Sequence, residues 1–294
     1  MIVGKENIVN TGRERFGLIE MKRKLRKYSG YFVSWKNFSE LDPCTRRRVA
    51  SFQSAMKVTM VAGQVFALIP VMGVTSANAS EVRFLISSWK SVYSIAVILG
   101  QVYMTSMAMN ALNIDSSLKT STNIIFYGTT LVTLMLFYRV AVSWPMVSQR
   151  AAGIEKLDAN FDLGLLLRTH VTCFVFLSMA LVEHILSLLP GFLSATSCYP
   201  QVTLDSYETF AKNFYPWIFH YLPYTLVLGL ISQYLHIQST FTWNFSDLFV
   251  ISISYYLISR LQQVNKKLED NQGKCLPEVF WRAIREEYVR AAQL

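Results

Sequence analysis

Residues 165–193 read LLLRTHVTCFVFLSMALVEHILSLLPGFL, a run in which only Arg168 and Glu183 carry a full charge. A hydrocarbon core about 30 Å thick is crossed by about 20 helical residues at 1.5 Å each. The run is long enough to span a membrane as a helix. It has neighbours of the same kind. Apolar segments occur at 84–112 and 123–144 before it, and at 214–235 and 241–258 after it. A shorter one, 58–74, is broken by Pro70 and Gly73.

Composition supports the reading. Apolar residues make up 52% of the 294 and charged residues 16%, with a mean hydropathy of +0.29. A soluble domain carries about 25% charged residues, so a single soluble core explains this chain poorly. The net charge of +9 is uneven, because residues 1–50 hold Lys22-Arg23-Lys24, Arg26-Lys27 and Arg46-Arg47-Arg48. A basic tail can signal nucleic acid. Beside a polytopic membrane region it reads instead as a cytoplasmic N-terminal region, obeying the positive-inside rule, with no nucleic-acid partner. The first 50 residues contain no apolar run, so no secretory signal is expected.

Loop charge decides between topologies. If all six segments crossed, residues 146–168, with Arg150, Lys156 and Arg168, would lie outside, and 194–212, with Lys212 alone, inside. The positive-inside rule favours the reverse. That is restored if 58–74 is re-entrant and 214–260 is one long kinked helix, since residues 236–240 contain no Gly or Pro. The expected spans are then 84–112, 123–144, 165–193 and 214–260, followed by a cytoplasmic helical anchor region at 261–294. None of the sequons at Asn37, Asn78 and Asn244 is expected to carry a glycan.

Polar residues inside apolar blocks are costly and mark function or helix packing. Glu183-His184 reads either as a ligand pocket, offering a carboxylate acceptor and an imidazole, or as an interhelical hydrogen bond. The aromatic set opening 214–235 reads either as an interfacial belt or as a carbohydrate platform. On a helix Trp217, His220, Tyr221 and Tyr224 share one side, and Asn123 and Tyr127 are placed to face them. Lys57 and Arg139 fit snorkelling near segment ends, and Asp247 fits a packing contact. Cys44, Cys173, Cys198 and Cys275 are scattered, and His170, His184, His220 and His236 show no metal-binding spacing. No enzyme, metal or cofactor is therefore expected. An internal repeat of the kind common in transporters is absent from the sequence.

Several words of the chain together resemble the insect gustatory receptors, in particular the sugar-receptor clade. They are Ser51-Phe52-Gln53; Gln64-Val65-Phe66-Ala67-Leu68-Ile69-Pro70-Val71-Met72-Gly73-Val74; Ser88-Trp89-Lys90-Ser91-Val92-Tyr93-Ser94; Glu183-His184; Thr240-Phe241-Thr242-Trp243-Asn244-Phe245-Ser246-Asp247-Leu248-Phe249; and Ser259-Arg260-Leu261-Gln262-Gln263-Val264-Asn265. The resemblance implies an all-α integral membrane fold, a polytopic helical bundle with seven transmembrane helices and inverted topology. It also implies a homo- or hetero-tetrameric, ligand-gated, non-selective cation channel in the plasma membrane of taste neurons, with a sugar ligand. Relatives continue through three further membrane helices that build the pore, so the chain is expected to be incomplete before those helices. The alternatives are a non-conducting truncated or regulatory subunit, and behind it a membrane transporter. The residues expected to hold the sugar are Glu183, His184, Trp217, His220, Tyr221, Tyr224, Asn123 and Tyr127.

Overall fold

The computed structural model describes residues 51–293 apart from 77, 113–117, 158–161 and 199–203. The basic tail and the sequon at Asn37 lie outside the described residues. Eight α-helices account for most of the described chain: α1 (Phe52–Val65), α2 (Trp89–Leu112), α3 (Leu118–Leu157), α4 (Leu163–Cys198), α5 (Leu204–Phe214), α6 (Pro216–Phe219), α7 (Leu226–Glu269) and α8 (Glu278–Ala292). A two-stranded antiparallel hairpin, β1 (Val71–Met72) with β2 (Arg83–Phe84), lies between α1 and α2. Three helices among the described residues are long and apolar enough to cross a membrane: Trp89–Leu112, Thr120–Leu157 and Gly164–Ala195. The architecture is an all-α helical bundle built around long apolar helices.

The long α7 is the hub. Its side chains meet α3 in ascending order, Tyr127 with His236, Phe137 with Phe245 and Trp144 with Phe249, so the two helices run parallel. They meet α4 in descending order, Thr172 with Tyr255 and His184 with Thr240, so α4 runs antiparallel. Gly100 of α2 lets Leu235 approach so closely that a Cβ there would lie 2.7 Å from Leu235 Cδ2. Gly63 of α1 does the same for the Phe245 ring. Seven of the buried residues of α7 are polar: Ser232, Gln238, Ser239, Thr242, Ser252, Ser259 and Arg260.

Several of the expected boundaries move. A continuous helix from 214 would place Pro216 and Pro223 in its body, and the chain instead breaks there. The helix restarts at Leu226, capped by Thr225, whose side chain accepts from the Leu228 N–H at 3.3 Å. It then runs unbroken through 236–240 to Glu269, 44 residues or roughly 66 Å. Pro145, just beyond the expected span 123–144, and Pro190 both lie inside helices, α3 and α4. A proline removes one backbone donor, and long membrane helices tolerate that where neighbours support them.

Residues 65–74 leave the helical ladder, and other side chains take up their carbonyls. Tyr93 Oη donates to Val65 O at 2.9 Å, Gln238 Nε2 to Phe66 O at 3.3 Å and Ser94 Oγ to Ala67 O at 2.6 Å. Gln64 Nε2 donates to Val71 O at 2.6 Å, and Gln53 Nε2 to Val74 O at 3.1 Å. Non-helical backbone is tolerated at membrane depth only when protein supplies such partners. Gly73, at φ +76, is required where the hairpin turns, because a Cβ there would run into the Glu81 carbonyl. In the same loop, hydrogen bonds from Ser76 and then Asn78 hold the Glu81 carboxyl below the usual carboxylate range.

The two ends of the bundle differ. At one, Glu155 at the end of α3 accepts the Phe52 N–H at 2.7 Å, beside Tyr256 and Arg260 of α7, and Lys267 pairs with Glu287 of α8 at 2.6 Å. Arg150, Lys156 and Arg168 belong to this end. A cavity of about 10 Å³, room for about one water, lies here between Ile154, Arg260 and Glu287. The opposite end carries the aromatic cluster.

Candidate functional site

His236 stands at the centre of that cluster. It lies in the fourth turn of α7, where the helix is flanked by α3, α4 and the break between α5 and α6. Tyr127 of α3 brings its hydroxyl to 3.0 Å from His236 Nδ1. The rings of Phe214, Phe126, His184 and Tyr215 surround it, with centroids 5.2, 5.5, 5.6 and 6.0 Å away. The Tyr215 hydroxyl donates to Gln233 Oε1 at 2.9 Å, tying the break to α7. Trp217 is buried, with its ring 5.2 Å from that of Tyr127. Trp243 donates its indole N–H to Thr130 Oγ1 at 3.2 Å and stacks on Phe126.

The hydrogen bonds at Thr240 suit one tautomer of His184. Thr240 donates its hydroxyl proton to the His236 carbonyl at 3.2 Å. Its oxygen, 3.3 Å from His184 Nδ1, can then accept a proton from that nitrogen. With its proton on Nδ1, His184 keeps a lone pair on Nε2. That atom is buried in a residue 5% exposed and has no hydrogen-bond partner among the described residues. An unpaired buried acceptor costs free energy, about 1–3 kcal/mol. It asks for a ligand that brings a donor.

The structure gathers three of the expected residues, Tyr127, His184 and Trp217, and leaves the rest at the margin. Glu183, one residue before His184, turns to the exposed face of α4. The shared helical side expected for Trp217, His220, Tyr221 and Tyr224 does not exist, because α6 is one turn long and ends at Phe219. His220 and Tyr221 are exposed, the Tyr221 hydroxyl donating to Asn110 O at 3.1 Å. Tyr224 packs on Phe219, at 5.4 Å between rings. Asn123 is half-buried, one turn before Tyr127. His236, Tyr215, Thr240 and Trp243 were missed as site residues. The signal for His236 was there, a histidine and a threonine at i and i+4 on one face of a buried helix.

Comparison with known proteins places this arrangement. Residues 38–294 match the trehalose receptor family. The chain belongs to that family. Among its curated relatives in Drosophila melanogaster, the gustatory receptor for sugar taste 64a is 26% identical over 253 residues, which are 83% of this chain and 56% of the relative. The gustatory receptor for sugar taste 64b is 25% identical over 255 residues, 83% of this chain and 62% of the relative. Gustatory receptor 5a for trehalose is 24% identical over 256 residues, 83% and 56%. The chain thus spans little more than half the length of these relatives, and all three are named as receptors.

Proposed function

We propose that this trehalose-receptor-family chain binds a sugar in the cluster around His236, as part of a gustatory receptor subunit in the plasma membrane. One observation carries the reading: aromatic faces and hydroxyl-matching polar atoms converge on one buried spot, with an unpaired acceptor at His184 Nε2. Aromatic rings stack on the C–H faces of a sugar, while imidazole and phenol groups exchange hydrogen bonds with its hydroxyls. Tyr127, His184 and His236 take the hydroxyls and Trp217 takes a ring face. Glu183, His220, Tyr221, Tyr224 and Asn123 line the approach. The cluster packs ring on ring, so the sugar enters by displacing the 215–225 connection, the stretch nearby with the least helical support.

On this reading the basic end faces the cytoplasm and the cluster lies in the outer half of the membrane. The chain then works with other gustatory receptor subunits, in a homo- or hetero-tetramer, as part of a ligand-gated cation channel. Ligand favours the open arrangement by binding it more tightly than the closed one. Co-expression with a full-length sugar receptor tests this. A sugar-evoked current whose dose–response shifts when Trp217→Ala is introduced in this chain supports it. A current altered by this chain but indifferent to Trp217 and Tyr127 favours a non-conducting regulatory subunit, and an unaltered current removes both readings.

A further inference from the structure

Two histidines from different helices meet in the cluster, His184 of α4 and His236 of α7, 52 positions apart in sequence, with ring centroids 5.6 Å apart and planes inclined by 43°. Spacing along the chain could not reveal this pair. We infer that the two imidazoles form a binding site for a divalent metal of the zinc or copper kind, one that no sequence motif announces and that does not depend on the sugar reading.

Three observations support the site. The first is the separation of the rings. Two imidazoles bound through nitrogen at about 2.0–2.1 Å to one tetrahedral metal hold their centroids a little over 5 Å apart, close to what is found here. The second is orientation. Metal-bound histidines generally donate their other ring N–H to a hydrogen-bond acceptor, which fixes tautomer and ring plane. Here Nδ1 of His184 faces the Thr240 hydroxyl and Nδ1 of His236 faces the Tyr127 hydroxyl. With the Thr240 proton turned to the His236 carbonyl, Nδ1 of His184 donates to Thr240 and Nε2 is the nitrogen left to ligate. Tyr127 can accept from His236 Nδ1, and with that bond the second ring has the same tautomer. The third is the buried Nε2 of His184, which has no other partner among the described residues.

The ligand type selects the metal. Neutral imidazole suits zinc, copper and nickel, whereas magnesium and calcium prefer oxygen. No group of three or more His, Cys, Asp or Glu that could hold a metal occurs among the described residues, so this is a two-histidine site whose remaining positions are filled by water. A metal there uses the His184 lone pair that a sugar hydroxyl would use, so metal and sugar compete.

The test uses the full chain in nanodiscs and follows tryptophan fluorescence during a titration with Cu2+. Trp217 and Trp243 each lie one aromatic ring away from His236, through Tyr127 and Phe126. The expected result is saturable quenching that excess Zn2+ reverses and Mg2+ does not. His184→Gln and His236→Gln each abolish the saturable phase, and Thr240→Val weakens it about tenfold by freeing the ring it orients. His170→Gln, near the basic end of α4 and away from the cluster, leaves it intact. Circular dichroism of each variant confirms that the helices remain. Quenching that persists in both histidine variants, or that disappears only on blocking Cys173 and Cys275, overturns the site. So does the absence of a saturable phase. Sugar binding with no metal binding would sink this inference alone, and metal binding with no sugar binding would sink only the sugar reading.

Discussion

Helices α4 and α7 teach opposite lessons about the same bilayer. Helix α4 is the more apolar and satisfies the length and composition of a membrane span, yet most of its side chains face outward: Phe174 is 74% exposed, and Met179, Val182 and Leu186 are exposed beside it. Helix α7 is the longest of the described helices, carries enough polar residues to fall outside that criterion, and holds more buried residues than any other of them. Lipid rewards apolar surface but gives little drive for one helix to bury another, so specific packing there comes from small residues and matched polar groups. Hydropathy in this chain reports contact with lipid, and polarity inside a long helix marks the centre of the bundle.

The comparison can be broken at several points. The largest effect is expected where α7 meets α3 and α1 at the basic end. Glu155→Ala strips the acceptor from the Phe52 N–H and the counter-charge from beside Arg260, and should cost about 3 kcal/mol. Unfolding midpoints in a denaturing detergent read it. An unchanged midpoint would mean that this contact does not hold the helices together. Gly63→Val comes next, because the added side chain collides with the Phe245 ring, and about 2 kcal/mol of overpacking is expected in the same assay.

Gln238→Leu tests the polar seam itself. Gln238 accepts from Gln101 Nε2 at 2.9 Å and donates to Thr242 at 2.9 Å and to Phe66 O at 3.3 Å. Its loss should cost about 1 kcal/mol, within the range measured for hydrogen bonds between membrane helices. Hydrogen exchange should also quicken at residues 66–71, which lose a donor. Faster exchange spread evenly over the chain would argue that the contact is not local. The smallest effect belongs to α4: Phe174→Leu should stay within about 0.5 kcal/mol, since its side chain meets lipid in both cases. A large loss there would show that another protein surface covers this face.

The same contrast explains what the sequence could reveal. Blocks such as 165–193 advertised a helical membrane protein because lipid contact writes itself into composition. His184 and Tyr127 were legible as polar groups inside apolar blocks, and Trp217 as one member of an aromatic run. The start of α7 was not legible, because two prolines in a run of aromatics fit either a kinked helix or a break. That error carried His220, Tyr221 and Tyr224 into the expected site, while His236, further along the same expected helix, was passed over. Partners such as Thr240 and Tyr215 are joined to His236 by folding alone, and no periodicity announces a contact between helices so far apart in the chain.

The central claim is that the polar centre beside α7 is a sugar site. The most direct test is equilibrium binding of trehalose and of glucose to the purified chain in nanodiscs, with the Tyr127→Phe variant in parallel. The variant keeps the ring and removes only the hydroxyl at His236. Saturable binding of at least one sugar, weakened about tenfold in the variant, is the predicted result, since a buried group left without its partner costs about 1–3 kcal/mol and 1.4 kcal/mol is a factor of ten. Saturable binding that the variant leaves unchanged would contradict the account by placing the sugar elsewhere, and the absence of binding to either chain would contradict it outright.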